Sequence, residues 1–348
     1  MKNQGVQFEA IKPRSRPLVW LKHGLLGVLV LAIALPLVGA VYQLIGTAMD
    51  KRNSAAPGQM VDVGDFSLNL YCIGENTDGR PTVILESGLG ATTSVWAWIQ
   101  PQVAKTTRVC SYDRAGMGSS DPSPEPRDAQ HIAAELHTLL QSAQISGPFV
   151  LVGWSYGGLY AHVYADQYRE EVAGLVLLDS SSPKQCTSTP EGQAQCASNA
   201  KIYSIAPVLA RMGVMRVMSL FQPDYGLPNS QTAALRASFS ATKDWDAQSA
   251  EFLTSPDTNA QVLNTTSLRD IPLFVLTATD HGTPPYLEQL WQDWQKGFTT
   301  LSTNSAQRIV DGATHVSLIF DETDSKASIA AILQVVESAH TGRPLLSK

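Results

Sequence analysis

The alternation of short apolar strands with amphipathic helices is the feature that most constrains the fold of this chain. From residue 61 onward, uncharged apolar runs such as residues 148–153 and 172–178 alternate with segments that carry apolar side chains at helical spacing, such as residues 128–143. Strands that are apolar on both faces are typical of parallel sheets covered by helices on both sides. The sequence therefore predicts an α/β fold with a mostly parallel sheet.

The alternation stops between residues 182 and 268. This part contains polar loops and a strongly helical stretch, residues 202–221, but no strand pattern. We interpret it as a helical cap inserted over the carboxyl edge of the sheet, which divides the core into residues 61–181 and 269–348. The apolar side chains of the helical stretch could line a substrate pocket, but such a stripe more often forms the core of its own helices, and we expect the latter.

An apolar run near the amino terminus predicts one transmembrane helix. Residues 24–49 carry no formal charge, and as a helix they would span ~39 Å, against ~30 Å of bilayer hydrocarbon. Cations dominate the segment before the run, so the positive-inside rule places residues 1–23 in the cytoplasm. Residues 50–60 would form a linker, and everything beyond them would be periplasmic or extracellular. A cleaved signal peptide ending near residue 40 is the alternative, although the apolar run continues past it.

Composition excludes some classes of function. The net charge is −6 and no basic patch follows the amino terminus, so we expect no nucleic-acid partner. The four cysteines lack metal-ligand spacing, and they are either two disulfides of an exported domain or four separate thiols. No metal and no organic cofactor is predicted.

The strongest chemical signal is the sequence GWSYG at residues 153–157, which matches the G-x-S-x-G nucleophile elbow. The motif requires a sharp turn from a strand into a helix, and its glycines keep that turn free of steric clashes. Here it lies between an apolar strand and a predicted helix. We therefore expect the hydroxyl of Ser155 to be exposed as a nucleophile.

A serine hydroxyl is a poor nucleophile without a base, and His315 is the candidate we favour. It lies in a loop between the last predicted strand and the last predicted helix, at the edge of the sheet where Ser155 is expected. His281 is the second choice. His162 is less suitable because it lies on the helix directly after the elbow.

Two aspartates could hold the imidazole in the correct tautomer. Asp280 follows one of the late apolar strands, and Asp179 ends the strand before it. We favour Asp280 by a small margin and keep Asp179 as the alternative acid. The aspartate that is not used would cap backbone amides at the end of its strand.

An oxyanion hole needs two backbone N–H groups. Tyr156, which follows the nucleophile, should supply one, and Leu89 in the glycine-rich residues 87–90 should supply the other. The charged pair Asp113 and Arg114 faces the same edge, and we expect it to pin its loop rather than to catalyse.

Taken together, the elbow, residues 87–90 (SGLG), residues 112–120 (YDRAGMGSS) and residues 312–315 (GATH) resemble the α/β-hydrolase superfamily. Within it, the chain is similar to a bacterial group of membrane-anchored hydrolases. The resemblance implies an eight-stranded sheet with an antiparallel second strand and a cap after the sixth strand.

The resemblance also implies two disulfides, and it shows one position at which this chain departs from the family pattern. The strands that hold Cys72 and Cys110 would be neighbours, so a disulfide between them is expected, with a second one between Cys186 and Cys196 in the cap. The acid after the seventh strand usually lies one position later, where this chain has His281, and this offset is the reason to keep Asp179 as an alternative.

A serine hydrolase that cleaves a small-molecule carboxylic ester through a Ser-His-Asp triad and an acyl-enzyme is the function we expect. An aminopeptidase or amidase with the same triad is the alternative, and it would need acids of the cap, such as Asp244, Asp246 or Glu251, to hold a substrate amine. A halide-oxidising perhydrolase is a weaker possibility. A binding protein that kept the fold without catalysis belongs to a different class, and the complete set of Ser and His argues against it.

Overall fold

The computed structural model of the protein describes residues 5, 16–53, 57–76, 78–223, 225–265 and 267–345. Helix α1, Arg16–Asn53, contains the predicted transmembrane run, and its part Trp20–Asp50 is long and apolar enough to cross a membrane. The helix continues into the predicted linker as far as Asn53, and Asp50 forms an ion pair with Arg216 of the cap at 2.7 Å. Most of the predicted cytoplasmic segment, and residues 54–56 of the linker, lie outside the described residues.

The described residues form a sheet of eight strands, in agreement with the predicted fold class. The strands are β1 Gln59–Asp62, β2 Ser67–Ile73, β3 Thr82–Glu86, β4 Val109–Tyr112, β5 Phe149–Trp154, β6 Val172–Leu178, β7 Leu273–Asp280 and β8 Ser305–Thr314. Their spatial order is β1-β2-β4-β3-β5-β6-β7-β8. Strand β2 runs antiparallel to both of its neighbours, β1 and β4. The six strands from β3 to β8 in chain order are parallel to one another.

Helices cover both faces of this sheet and its carboxyl edge. After α1 they are α2 Gln100–Val103, α3 Ala129–Ser142, α4 Tyr156–Gln167, α5 Pro190–Arg211, α6 Val214–Ser219, α7 Asn229–Ser240, α8 Thr242–Leu253, α9 Ser255–Asn264, α10 Pro285–Phe298, α11 Ser317–Phe320 and α12 Ser325–Thr341. Strand β5 shows how the layers form: Leu151 packs with α3 and α4, whereas Val150 and Val152 pack with α12 on the other face. Burial on both sides explains why these strands are apolar throughout.

Helices α5 to α9 form the cap, inserted between β6 and β7. The predicted helical stretch 202–221 is divided by Gly213, whose φ of 75° ends one helix and begins the next. The expectation that its apolar side chains form the core of the cap is only partly correct. Ala206, Ala210 and Met215 are buried there, but seven larger apolar side chains of the same stretch are exposed.

Both disulfides implied by the resemblance are present. Cys72 of β2 lies directly opposite Cys110 of β4, and these two residues are bonded. Cys186 and Cys196 close a short loop at the start of α5. The reading of four separate thiols is therefore wrong.

Candidate active site

Ser155 occupies the turn between β5 and α4 in a strained backbone conformation, with φ 56° and ψ −126°. The glycines of the motif make this turn possible. A Cβ on Gly153 would lie 2.5 Å from the carbonyl oxygen of Gly157, and one on Gly157 would lie 2.6 Å from that of Ser87. Because side chains cannot fit at these two positions, the chain can turn sharply enough to present Ser155 at the tip.

His315 follows β8 and makes a short hydrogen bond to Asp179. The distance from its Nδ1 to Asp179 Oδ2 is 2.6 Å, and the carboxylate is wholly buried. The indole of Trp154 stacks on the imidazole at 5.3 Å between ring centroids, and its Nε1 donates to the carbonyl of His315. This arrangement commits Nδ1 to the carboxylate and leaves Nε2 as the nitrogen that can accept a proton.

The preference for Asp280 as the partner of His315 is not supported by the structure, which brings Asp179 to that position. Asp179 directly follows β6, and its N–H donates to the carbonyl of Leu276 in β7. Asp280 lies four residues beyond Leu276 in the same strand and is exposed, with its carboxylate accepting from the N–H of Gly282 at 3.2 Å. Asp280 therefore lies beyond the level of the sheet at which Asp179 meets the imidazole of His315.

A second histidine shares the same carboxylate. His281 Nε2 lies 2.8 Å from Asp179 Oδ2, and its Nδ1 lies 2.9 Å from Glu288 Oε2. Burial alone would lower the pKa of His281, but its hydrogen bonds to Asp179 and Glu288 outweigh this and raise the pKa. With both ring nitrogens engaged by carboxylates, His281 has no free nitrogen with which to take a proton from Ser155, so it is unsuited to the role of base, for which it was the second choice.

Asp179 is held ionised by its surroundings. Burial would raise its pKa, but the hydrogen bonds from His281 and His315 pull the pKa well below its usual range. Its other oxygen, Oδ1, accepts from Trp291 Nε1 at 2.9 Å and from the N–H of Ala278 at 3.1 Å. Four donors thus fix the orientation of one buried carboxylate.

Asp179, His281 and His315 also form a group of potential metal ligands, with their ligand atoms within 4.8 Å of one another. Metal binding at those atoms would need free lone pairs on the two histidine nitrogens, whereas the observed hydrogen bonds need protons there. The geometry therefore fits a hydrogen-bonded array better than a metal site.

The loop of residues 87–90 lies against the elbow, as the oxyanion-hole prediction requires. A Cβ on Gly88 would lie 3.1 Å from the Cβ of Ser155 and 3.0 Å from the Trp154 ring. Leu89, the predicted donor, is the next residue. Tyr156, the other predicted donor, begins α4, where the first N–H groups of a helix have no partner within the helix.

The buried side chain of Arg114 holds the loop of residues 87–90 in place. Its guanidinium donates to the carbonyls of Ser87 and Gly88 at 2.6 and 2.8 Å, and it pairs with the buried carboxylates of Glu86 and Glu251 at 2.8 Å each. Burial raises the pKa of Glu86 to about 7, against the opposing effects of Arg114 and Tyr112. The expectation that Arg114 has a structural role is confirmed by these contacts.

The three acids proposed to hold a substrate amine are engaged elsewhere. Glu251 accepts from Arg114 and from the hydroxyl of Tyr160. Asp246 pairs with Arg211 on the surface, and Asp244 is buried, where it accepts from Gly118 and Ser238.

Some residues of the array were missed by sequence reasoning. Glu288 and Trp291 lie three residues apart on α10 and both reach the histidine–carboxylate array. Their helical spacing puts them on one face, but nothing in the sequence says that this face is turned toward Asp179. His162, set aside as a base, is fully enclosed, and burial lowers its pKa to about 4.

Comparison with known proteins gives a consistent family. The sequence profile described as the alpha/beta hydrolase family matches residues 83–330. The chain is 26% identical over 301 residues to an uncharacterised protein of Schizosaccharomyces pombe, covering 77% of this chain and 54% of that protein. It is 31% identical over 130 residues to an uncharacterised vacuolar membrane protein of Saccharomyces cerevisiae, covering 33% of this chain and 20% of that protein.

The chain thus spans about half or less of the length of these two curated relatives. Among solved structures, an esterase of Thermogutta terrifontis superposes with a TM-score of 0.59 at 19% identity, covering 82% of this chain and all of that one. At this level of identity the likeness concerns the fold.

Proposed function

Because this chain belongs to the alpha/beta hydrolase family, we propose that it is a serine hydrolase that cleaves carboxylic esters, with Ser155 as nucleophile, His315 as base and Asp179 as the orienting acid. The hydrogen bond of 2.6 Å between His315 and the buried Asp179 is the observation that carries this proposal. A buried carboxylate on Nδ1 fixes the tautomer in which Nε2 can take a proton from a serine hydroxyl.

The steps follow from these roles. Ser155 Oγ attacks the ester carbonyl while His315 Nε2 takes the hydroxyl proton, and the carbonyl oxygen becomes an oxyanion held by the N–H groups of Leu89 and Tyr156. The C–O bond to the alcohol then breaks, and His315 returns the proton to the leaving oxygen. Water, deprotonated by the same imidazole, hydrolyses the acyl-enzyme and restores the serine.

Active-site labelling with a fluorophosphonate probe tests the assignment in the full chain solubilised in detergent. We expect labelling of the wild type, none of Ser155→Ala, and a rate at least about a hundredfold lower for Asp179→Asn, in which the tautomer is no longer enforced. Asp280→Asn is the matched control and should label at the wild-type rate. Absence of labelling in a folded wild type would contradict the proposal, and a loss in Asp280→Asn alone would reverse the choice of acid.

The amidase or aminopeptidase alternative has less support. It requires an acid available for a substrate amine, but Asp246 and Glu251 are paired with arginines, and Asp244 is buried with one oxygen bonded to Gly118 and Ser238. Rates with 4-nitrophenyl acetate and with amino-acid 4-nitroanilides distinguish the two activities. Folded protein that turns over neither ester nor anilide and does not label would favour a binding protein.

We also propose that α1 anchors the protein in a membrane, with its amino terminus in the cytoplasm and the hydrolase domain on the other side. The excess of cations before the apolar run supports this orientation, and the two disulfides fit an oxidising compartment. Proteolysis of intact spheroplasts tests it, because the hydrolase domain should be digested from outside the cytoplasmic membrane.

A further inference from the structure

Helix α1 and the cap are joined by a specific contact. A Cβ on Gly39 would overlap the carbonyl oxygen of Met212, and a Cβ on Gly213 would lie 2.6 Å from the carbonyl oxygen of Gly39. One helical turn further along, Gln43 is buried, donating to the carbonyl of Ser240 at 2.7 Å and accepting from Arg216 Nε at 3.0 Å. Small residues that allow backbones to approach, and polar side chains satisfied across the contact, are typical of helix packing in membranes.

If α1 crosses a bilayer as proposed, this contact would lie at the depth of the hydrocarbon. If the hydrocarbon begins at Gly24, directly after the last basic residue, then the ~20 helical residues needed to cross it place its far boundary at about Gln43. Gly39 then lies ~6 Å inside the boundary at ~1.5 Å per residue. The Asp50–Arg216 ion pair lies ~10 Å beyond that boundary, at the level of the lipid headgroups. The junction between α5 and α6 would therefore be level with the outer part of the hydrocarbon.

The same part of the cap is largely apolar on its surface, apart from the exposed ion pair of Arg211 with Asp246. Seven of the thirteen exposed large apolar side chains that follow α1 in the described residues lie within 202–221, so the exposure is concentrated at the segment that touches α1. The six that we take to define the cap patch are Ile202, Ile205, Val208, Val217, Leu220 and Phe221.

Helix α5 is built for two different environments. It buries Ala206 and Ala210 among the aromatic side chains of the cap. Ile202, Ile205 and Val208, spaced by three residues, form a strip beside this buried face and are each more than half exposed. When an exposed apolar area lies next to a membrane helix, the lipid of the same bilayer can cover it.

We propose that the cap patch is immersed in the bilayer leaflet that lies on the side of the hydrolase domain, so that the cap is a second membrane-contacting element beside α1. This inference rests on the membrane anchoring and the ester hydrolysis proposed above. It extends them to a substrate class: esters that partition into that leaflet.

The cap connects the patch to the site through one layer of helices. Helix α5 packs on α8, in which Gln248 lies against Gly90 of the predicted oxyanion loop and Glu251 binds Arg114.

Site-directed spin labelling of the full chain in phosphatidylcholine vesicles tests the depth of the patch. All four native cysteines are in disulfides, so Val217→Cys and Phe221→Cys each provide a single thiol for a nitroxide. Leu31→Cys on α1 is the reference for lipid, and Lys105→Cys, which precedes β4 at the opposite edge of the sheet, is the reference for water.

We expect the nitroxides at 217 and 221 to collide with lipid-soluble oxygen in preference to a water-soluble nickel complex, as at 31 and unlike at 105. Labels at 217 and 221 that behave as at 105, while 31 is in lipid, would overturn the inference and leave the anchor intact. Shielding of 217 and 221 from both reagents would overturn it in favour of a second copy of the chain. An aqueous label at 31 would refute the membrane anchor and this inference with it.

The substrate class has its own measurement. Phe221→Asp should lower kcat/KM for a long-chain ester carried in the vesicles by about tenfold, because a charge in the patch opposes its immersion. The rate with water-soluble 4-nitrophenyl acetate should stay unchanged, since the side chain of Phe221 is 81% exposed on the surface of the cap. Equal rates of the variant and the wild type on the vesicle-borne ester would overturn the proposed substrate class.

Discussion

At the scale of single residues, the feature that sets this site apart is that Asp179 serves two histidines. His315 and His281 both donate to Asp179 Oδ2, and Glu288 holds the far nitrogen of His281. The two carboxylates raise the pKa of His281, and in its protonated form it would place a positive charge 6.2 Å from the imidazole of His315, measured between ring centroids. A proton passed from Ser155 to His315 would then put two cations on one carboxylate, so a charge on His281 would oppose that transfer.

Replacing His281 by glutamine should therefore move the acid limb of the kcat/KM profile to higher pH, by up to about one pH unit. Glutamine can still donate to Asp179 but carries no charge, so the base gains protons more easily. The value of kcat/KM on the plateau should fall by less than about tenfold, because Trp291 and Ala278 still hold Asp179. The measurement is the pH dependence of 4-nitrophenyl acetate hydrolysis.

Glu288→Gln is the matched control for this prediction. It keeps the imidazole in place but removes one of the two carboxylates that raise the pKa of His281, so the shift of the acid limb should be smaller than in His281→Gln. An acid limb that does not move in His281→Gln would mean that His281 is uncharged in the wild type.

His162 provides a prediction about stability. Burial lowers the pKa of His162 in the folded chain to about 4, whereas in the unfolded chain the imidazole takes up a proton near the ordinary histidine pKa of 6.5. Below pH 6.5 the unfolded state therefore binds more protons, and stability falls as the pH drops toward 4, by on the order of 3 kcal/mol at the end of that window. His162→Leu should weaken this dependence in urea unfolding between pH 7 and 4.5.

The exposed His340 on α12 is the control for that experiment, and His340→Ala should follow the wild-type curve. A His162→Leu curve parallel to the wild type would show that the imidazole gains access to solvent or to a hydrogen-bond partner in the folded chain.

At this scale the sequence predicted Ser155 and His315 but favoured the wrong aspartate for the contact. Both strands that precede the candidate acids end at the same edge, so the pattern alone could not rank them. The choice depends on strand register: Leu178 pairs with Leu276, which puts Asp179 level with the imidazole and carries Asp280 beyond it. Register between distant strands is a tertiary property that one sequence does not encode locally.

At the scale of elements, the predictions were more complete because periodicity reports directly on burial. Strands β5 and β6 and helix α3 were recovered within one or two residues. Strand β7 is longer than its apolar run because it continues to Asp280 in pairing with β8. The stretch 202–221 was correctly recognised as helical, but its exposed side was not, since an apolar pattern does not say whether protein or lipid covers it.

The turn from β5 into α4 is the element whose geometry depends most on one residue type. Gly153→Ala should destabilise the fold by about 2 kcal/mol or more, because its methyl group would lie 2.5 Å from the carbonyl oxygen of Gly157 and from the Cα of Gly158. Chemical unfolding measures this loss. Fluorophosphonate labelling of the folded fraction should fall as well, because the elbow must shift.

Gly297→Ala in α10 is the matched substitution. Nothing lies within 4 Å of its added Cβ, and alanine in a helix is favoured by about 0.5–1 kcal/mol over glycine. Equal stabilities of the two alanine variants would contradict the tight packing assigned to the elbow.

At the scale of the whole molecule, α1 and the hydrolase domain form one body through the cap. The contact combines the close approach of Gly39 to Met212 and Gly213 with the buried Gln43 and the Asp50–Arg216 pair. A membrane anchor that served only as a tether would need none of these contacts. If α1 lies in a membrane as proposed, these contacts would set the orientation of the hydrolase domain relative to it.

This rigidity can be tested with two leucines placed in the same helix. Gly39→Leu should lower the stability of the detergent-solubilised chain by about 1–3 kcal/mol, because its side chain would occupy the position of the Met212 carbonyl. Gly27→Leu should have no effect, since nothing lies within 4 Å of a Cβ there. Thermal unfolding followed by circular dichroism compares the two. Identical unfolding of both variants and the wild type would mean that α1 and the cap separate in detergent, and that the orientation of the hydrolase domain comes from the bilayer rather than from the protein contact.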